Sequence, residues 1–146
     1  MMDKLRVRAQ GESGFTLVEL LVVMLILGLL AAIAIPAFFN QRDKANDAEA
    51  KAIAKTTQTA METYATDNNG SYSSADLTAL NKIEPTIPTT GTNAPALTPG
   101  ASSYSIVVTA DNTANKFTIA RSAIGALSYT CTTGGKGGCP STGKWD

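Results

Sequence analysis

The sequence contains no histidine. The commonest general base and the commonest metal ligand are therefore missing from its chemistry. Only two cysteines are present, Cys131 and Cys139. A structural zinc site takes four ligands, mostly Cys and His, and this chain lacks the side chains for one. Twelve basic and twelve acidic side chains give a formal net charge of zero, so no basic excess draws the chain to nucleic acid. Aromatic residues are few, and Tyr72, Tyr104, Tyr129 and Trp145 read as packing or surface residues rather than a binding box. The Asp and Glu residues are scattered on solvated faces, and no motif ties two of them into an acid–base pair. Gly138 to Lys144 spells G-x-x-x-x-G-K, yet Trp145 stands where a phosphate-binding loop requires Ser or Thr. The expectation is a protein that is not an enzyme, with no cofactor, no metal site and no small-molecule substrate.

One stretch dominates what is present. Residues 1–14 form a polar leader with Lys4, Arg6 and Arg8 as its basic side chains. From Phe15 to Phe39 the chain reads FTLVELLVVMLILGLLAAIAIPAFF, with Glu19 as its one charge. The twenty residues from Leu20 to Phe39 carry no charge, and thirteen of them are Leu, Ile, Val or Phe. As a helix they span roughly 30 Å, the thickness of a bilayer's hydrocarbon layer. Insertion is favoured by roughly 4–8 kcal/mol as an upper estimate. A buried core helix of a soluble protein is the other reading, but the remainder is too small and polar to enclose this segment on all sides. The basic leader places the N-terminus in the cytoplasm by the positive-inside tendency; Arg42 and Lys44, just past the span, weigh against that orientation.

Beyond Phe39 the helical pattern continues. Ala45, Ala48, Ala52, Ile53, Thr56, Ala60, Met61 and Tyr64 recur at three- and four-residue spacings and define a narrow stripe of small residues. Asp47 and Lys51 fall on a more polar face, as a helix-supporting pair. Asn68, Asn69 and Gly70 end the helix. One helix is thus expected from Phe15 to about Thr66, with Pro36 kinking it or freeing a carbonyl near residue 32, and Gly28 as a second weak point. Ser73 to Asp76 fits a capping box for a short helix through Leu80. Ile83 to Gly100, with four prolines, reads as a surface loop. Three strands follow, Tyr104–Thr109, Lys116–Arg121 and Ala126–Cys131, in which Tyr104, Ile106 and Val108 share one face. The expected fold class is α+β: a long N-terminal helix, membrane-spanning in its first half and amphipathic in its second, packed on a small antiparallel sheet. Asn69-Gly70-Ser71 also fits a glycosylation sequon.

The segment GFTLVELLVVMLILGLLAAIAIPAF, Gly14 to Phe38, closely resembles the N-terminal signature of type IV pilins and pseudopilins. The remainder resembles that family in plan only. The resemblance implies cleavage between Gly14 and Phe15 by a membrane-embedded prepilin peptidase, then N-methylation of Phe15. A secretory signal is cut after its apolar stretch and loses it; here the cut precedes the stretch and keeps it. The implied parts are a leader (1–14), a transmembrane and filament-core helix (15–39) and an exported globular domain (40–146). The implied partners are further copies of the chain in a helical homopolymer, the peptidase and methylase, the pilus or secretion assembly machinery of the cytoplasmic membrane, and the lipid bilayer before assembly. The implied location is the cytoplasmic membrane, then an extracellular pilus. Glu19 is expected to serve assembly by pairing with the Phe15 amine of a neighbouring subunit.

Cys131 and Cys139 bracket TTGGKGG, whose four glycines let so short a loop close. A disulfide there agrees with an exported domain and adds roughly 2.5 kcal/mol; two unpaired thiols are the alternative. The loop resembles the C-terminal disulfide loop of pilins. The leading reading is a type IV pilin, and the nearest rival a pseudopilin of a type II secretion or DNA-uptake system. Many major secretion pseudopilins hold calcium in their C-terminal part. Calcium takes six to eight oxygens, and beyond Glu84 this chain offers only the carboxylates of Asp111 and Asp146. A membrane-tethered binding module or enzyme is a third reading, and no catalytic constellation supports it.

Overall fold

The computed structural model describes residues 14–146. The leader expected at residues 1–14 therefore lies outside the described residues except for Gly14. The described residues divide into two compact units, 14–37 and Phe38–Asp146.

In the first unit, helix α1 begins at Leu17; the helix as a whole runs Leu17–Asp67, 51 residues. It continues unbroken through Pro36. This segment is long and apolar enough to cross a membrane, and nothing in its most apolar stretch is buried. From Leu17 to Ile35 its large apolar side chains are 48–76% exposed. No part of the described chain covers them.

The second unit holds the outer part of α1, a short helix α2 (Leu77–Ile83), and four strands, β1 (Ala96–Pro99), β2 (Tyr104–Thr109), β3 (Lys116–Arg121) and β4 (Leu127–Cys131). The strands form one antiparallel meander in the order β1-β2-β3-β4. Val107 faces Ala96 and Thr118, and Ile119 faces Ile106 and Tyr129. Alternation puts Tyr104, Ile106 and Val108 of β2 and Phe117 and Ile119 of β3 on the buried face. They share a core with Ala50, Ala54, Ala60, Met61 and Ala65 of α1, Leu80 of α2 and Ile87 of the following loop. Each large side chain among them contributes roughly 1.5–3 kcal/mol by leaving water.

Four sequence expectations need correction. The buried residues of α1 are Asp47, Ala50, Ala54, Thr57, Ala60, Met61 and Ala65: of the expected stripe, Ala60 and Met61 are buried and Ile53 and Tyr64 pack against the core, but Ala45, Ala48 and Ala52 are exposed. Alanine occurs on every side of this helix and does not mark its buried face. Two polar residues, Asp47 and Thr57, sit on the true stripe; Thr57 returns its hydroxyl hydrogen to the Ile53 carbonyl at 2.7 Å. The sheet has a fourth strand, β1, inside the stretch expected as a loop. Its Pro99 is tolerated because β1 is an edge strand with one side unpaired. Helix α2 is capped by Asp76, whose carboxylate accepts from the Ala79 N–H at 2.7 Å, and not by Ser73. The last strand starts at Leu127, one residue later than expected.

This packing predicts a sharp contrast within one hairpin. Phe117→Ala should cost about 3–5 kcal/mol by emptying the core. Ile124→Ala, at a residue 93% exposed on the β3–β4 turn, should change stability by less than about 0.5 kcal/mol. Urea unfolding of the detergent-solubilised chain, followed by Trp145 fluorescence, measures both.

Candidate functional site

The N-terminal turn of α1 is built by Thr16 and Glu19. The Glu19 Oε2 accepts from the Thr16 backbone N–H at 2.8 Å and from the Thr16 hydroxyl at 2.9 Å. In return the Glu19 N–H donates to Thr16 Oγ1 at 3.2 Å. This is a reciprocal capping box, T-x-x-E, which satisfies helix N–H groups that have no partner within the helix. The T-x-x-E spacing of Thr16 and Glu19 is itself the sequence signal for this cap. Phe15, just before the cap, is 83% exposed. A Cβ added at Gly28 would meet nothing within 4 Å, so no contact among the described residues demands glycine there.

A second group of residues ties the C-terminal loop to the outer helix. Asp47 is completely buried. Its Oδ2 accepts from the Asn115 side-chain amide and from the Gly138 N–H, both at 2.7 Å. Its Oδ1 accepts from the Thr113 hydroxyl. Lys51, one turn on, donates to the Gly138 carbonyl rather than pairing with Asp47. Asp47 is thus not on a polar outer face. A buried carboxylate persists only where such bonds replace its water, and here three donors do so. The loop must come very close to supply them. A Cβ at Gly137, where φ is +58°, would collide with Asp47 Oδ2, and one at Gly138 would lie 2.9 Å from Asp47 Cβ. These two glycines therefore admit the helix as well as closing the loop. Cys131 and Cys139 are joined in a disulfide with Cα atoms 5.8 Å apart, which anchors that loop to β4.

The aromatic residues pack on lysines of α1. Lys55 Nζ lies 3.7 Å from the Tyr129 ring centre, and Lys51 Nζ lies 5.2 Å from that of Phe117. Trp145 packs edge-on against Phe117 and Tyr129, and its Nε1–H donates to the Thr130 carbonyl at 2.8 Å. These are cation–π and edge contacts of the protein with itself.

Glu62 forms the opposite tie. It accepts from the Tyr72 hydroxyl at 2.7 Å and the Tyr104 hydroxyl at 2.8 Å, and it pairs with Arg121 Nε at 3.4 Å. Burial, then the hydrogen bond to the Glu62 carboxylate, pushes the Tyr104 hydroxyl far above its ordinary value near 10.0. Burial likewise raises Tyr72, with Glu62 again adding to it. No group of three or more His, Cys, Asp or Glu able to hold a metal gathers among the described residues.

The family model for the prokaryotic N-terminal methylation motif matches residues 10–35, a segment that includes Gly14, Phe15, Glu19 and Gly28. The chain is 42% identical over 57 residues to type II secretion system core protein G of Pseudomonas aeruginosa, covering 39% of this chain and 40% of that one. It is 43% identical over 53 residues to the type IV major pilin protein PilA of Myxococcus xanthus, 36% of this chain and 24% of that one. It is 42% identical over 65 residues to the type IV wide pilus major component PilA4 of Thermus thermophilus, 44% and 49% of the two chains. The N-terminal part of the chain thus carries the prokaryotic N-terminal methylation motif and is similar to both type IV pilins and a type II secretion core protein. The matches span less than half the length of these relatives, and no solved structure matches.

Two outcomes are expected in this pilin-like chain. Asp47→Ala leaves three donors without their acceptor and should lower stability by about 3 kcal/mol with the disulfide intact. Glu49→Ala, exposed two residues on, should change it by less than about 0.5 kcal/mol; equal effects in urea unfolding would contradict the buried tie. The raised Tyr104 and Tyr72 hydroxyls stay protonated in the native state while the unfolded state loses those protons above pH 10. Their contribution is therefore complete below pH 10 and declines as pH rises beyond it. Tyr104→Phe should flatten that alkaline decline and cost about 1.5–3 kcal/mol at neutral pH through the lost bond to a carboxylate.

Proposed function

We propose that the chain is the precursor of a filament subunit, cut after Gly14, N-methylated at Phe15 and polymerised through its apolar helix into a type IV pilus. Its leader faces the cytoplasm, α1 crosses the membrane once, and residues 40–146 lie outside. It performs no catalysis of its own. One observation carries this reading: a helix apolar from Leu20 to Phe39 that nothing in its own described chain covers. In water, thirteen large apolar side chains would cost roughly 20–40 kcal/mol gross. Lipid removes that cost before assembly, and the helices of other copies remove it afterwards. Repeated head-to-tail contacts that do not close produce a filament.

Glu19 is assigned the register of that filament. An unpaired carboxylate in a dry core costs several kcal/mol, and the amine exposed at Phe15 by cleavage is a partner of the opposite sign. In the unassembled chain the carboxylate caps its own helix through Thr16, so assembly exchanges a local partner for an intermolecular one. A pseudopilin of a type II secretion or DNA-uptake system is the second reading, favoured by the likeness to secretion core protein G. Filaments on intact cells distinguish a pilus from a periplasmic pseudopilus.

The test separates capping from charge. Glu19→Gln keeps a side chain able to complete the capping box but removes the charge. It should be inserted and processed normally yet yield fewer than a tenth of the wild-type filaments. Thr16→Ala loses the cap, keeps the charge and should still polymerise. Wild-type filament yield from Glu19→Gln, counted by electron microscopy and immunoblotting of sheared material, contradicts the role given to Glu19.

A further inference from the structure

We infer that Asn69 is an acceptor for N-linked glycan, in a turn that closes the outer end of α1. The inference rests on the export of residues 40–146 proposed above. The stretch Asp67-Asn68-Asn69-Gly70-Ser71 contains the sequon Asn69-Gly70-Ser71. The structure separates the two adjacent asparagines. The Asn68 amide is engaged, donating to the Tyr64 carbonyl at 2.8 Å. Asn69 is exposed and its side chain makes no hydrogen bond among the described residues.

The backbone presents that side chain outward. Asn69 has φ +56° and Gly70 φ +78°, so the chain reverses in the left-handed region that Asn and Gly tolerate. The Gly70 N–H donates to the Ala65 carbonyl at 2.7 Å and the Ser71 N–H to the Asn68 carbonyl at 3.1 Å. Both bonds fix the main chain and leave the Asn69 amide unused. A Cβ added at Gly70 would meet nothing within 4 Å, so the position next to the exposed acceptor is open as well. Ser71, whose hydroxyl completes the sequon, lies 3.0 Å from the Ser73 hydroxyl at the rim of the same turn. From Phe39 to Asp67 the helix rises about 42 Å, which sets this turn well clear of the end of the apolar segment.

The donor class is a polyprenyl-pyrophosphate-linked oligosaccharide. The Asn69 amide nitrogen attacks the anomeric carbon of the first sugar. The nitrogen–carbon bond forms, the bond from that carbon to the pyrophosphate oxygen breaks, polyprenyl pyrophosphate leaves, and the amide loses one proton to a base of the transferase. No electron transfer is involved.

The experiment is peptide mapping by mass spectrometry of the full chain purified from its native cells. Trypsin releases residues 56–82 as one peptide. Fragmentation should place a sugar mass on Asn69. Asn69→Gln and Ser71→Ala should each remove it, while Asn68→Gln and Ser71→Thr should retain it. Chains with a Phe15 terminus and an oxidised Cys131–Cys139 pair but an unmodified Asn69 overturn this inference alone. A sugar that survives Asn69→Gln on one of the peptide's hydroxyls also overturns it. Chains that keep the leader and carry free thiols instead contradict the proposed export.

Discussion

An apolar helix that no other described residue covers is the constraint on which the other features depend. The large apolar side chains from Leu17 to Ile35 are left about half or more exposed by the described residues, so the segment is stable only in lipid or against other protein. A sequence that keeps such a segment must also control where it goes. Its only charge, Glu19, stands in the first turn, where its carboxylate already serves the helix end. That local use explains how an acidic residue is tolerated at the start of an apolar span before any neighbour arrives.

The second unit solves the ordinary problem of folding a small sheet. Its core is modest, and polar ties supplement it. Asp47 draws the disulfide loop onto the helix at one place, and Glu62 draws in Tyr72, Tyr104 and Arg121 at another. Both acidic residues lie on α1, fifteen positions apart, and each accepts from residues distant in sequence. Small residues at Ala50 and Ala54 leave room on the helix surface, and glycine at 137 and 138 admits the Asp47 carboxylate. The covalent Cys131–Cys139 link and the Asp47 bonds therefore hold the same loop from two sides.

Much of this was legible in the residues. The apolar run and the Asn-Asn-Gly stop defined α1 to within two residues at either end, and strict alternation located β2 and β3 with their bounds. What escaped has physical causes. Strand β1 carries Pro99 and lies in a proline-rich stretch, and only its edge position makes it compatible with pairing. The buried stripe of α1 includes Thr57, which bonds back to its own helix, and Asp47, whose partners lie 66 to 91 residues away. Neither periodicity nor propensity registers such partners. The capping role of Glu19 is encoded in the T-x-x-E spacing alone, which makes the same carboxylate both a lone charge in an apolar run and a local helix cap.

The most direct measurement is the water accessibility of the apolar helix in two states. A single cysteine at Leu27 and, separately, one at Ser74 can be probed with a membrane-impermeant maleimide in cells and in sheared, detergent-free filaments. Ser74→Cys should label readily in the filaments. Leu27→Cys should remain unlabelled in the membrane and in the filaments, and react only after denaturation. Ready labelling of Leu27→Cys in a detergent-free, monomeric chain would contradict a helix that is always covered, first by lipid and then by its own copies.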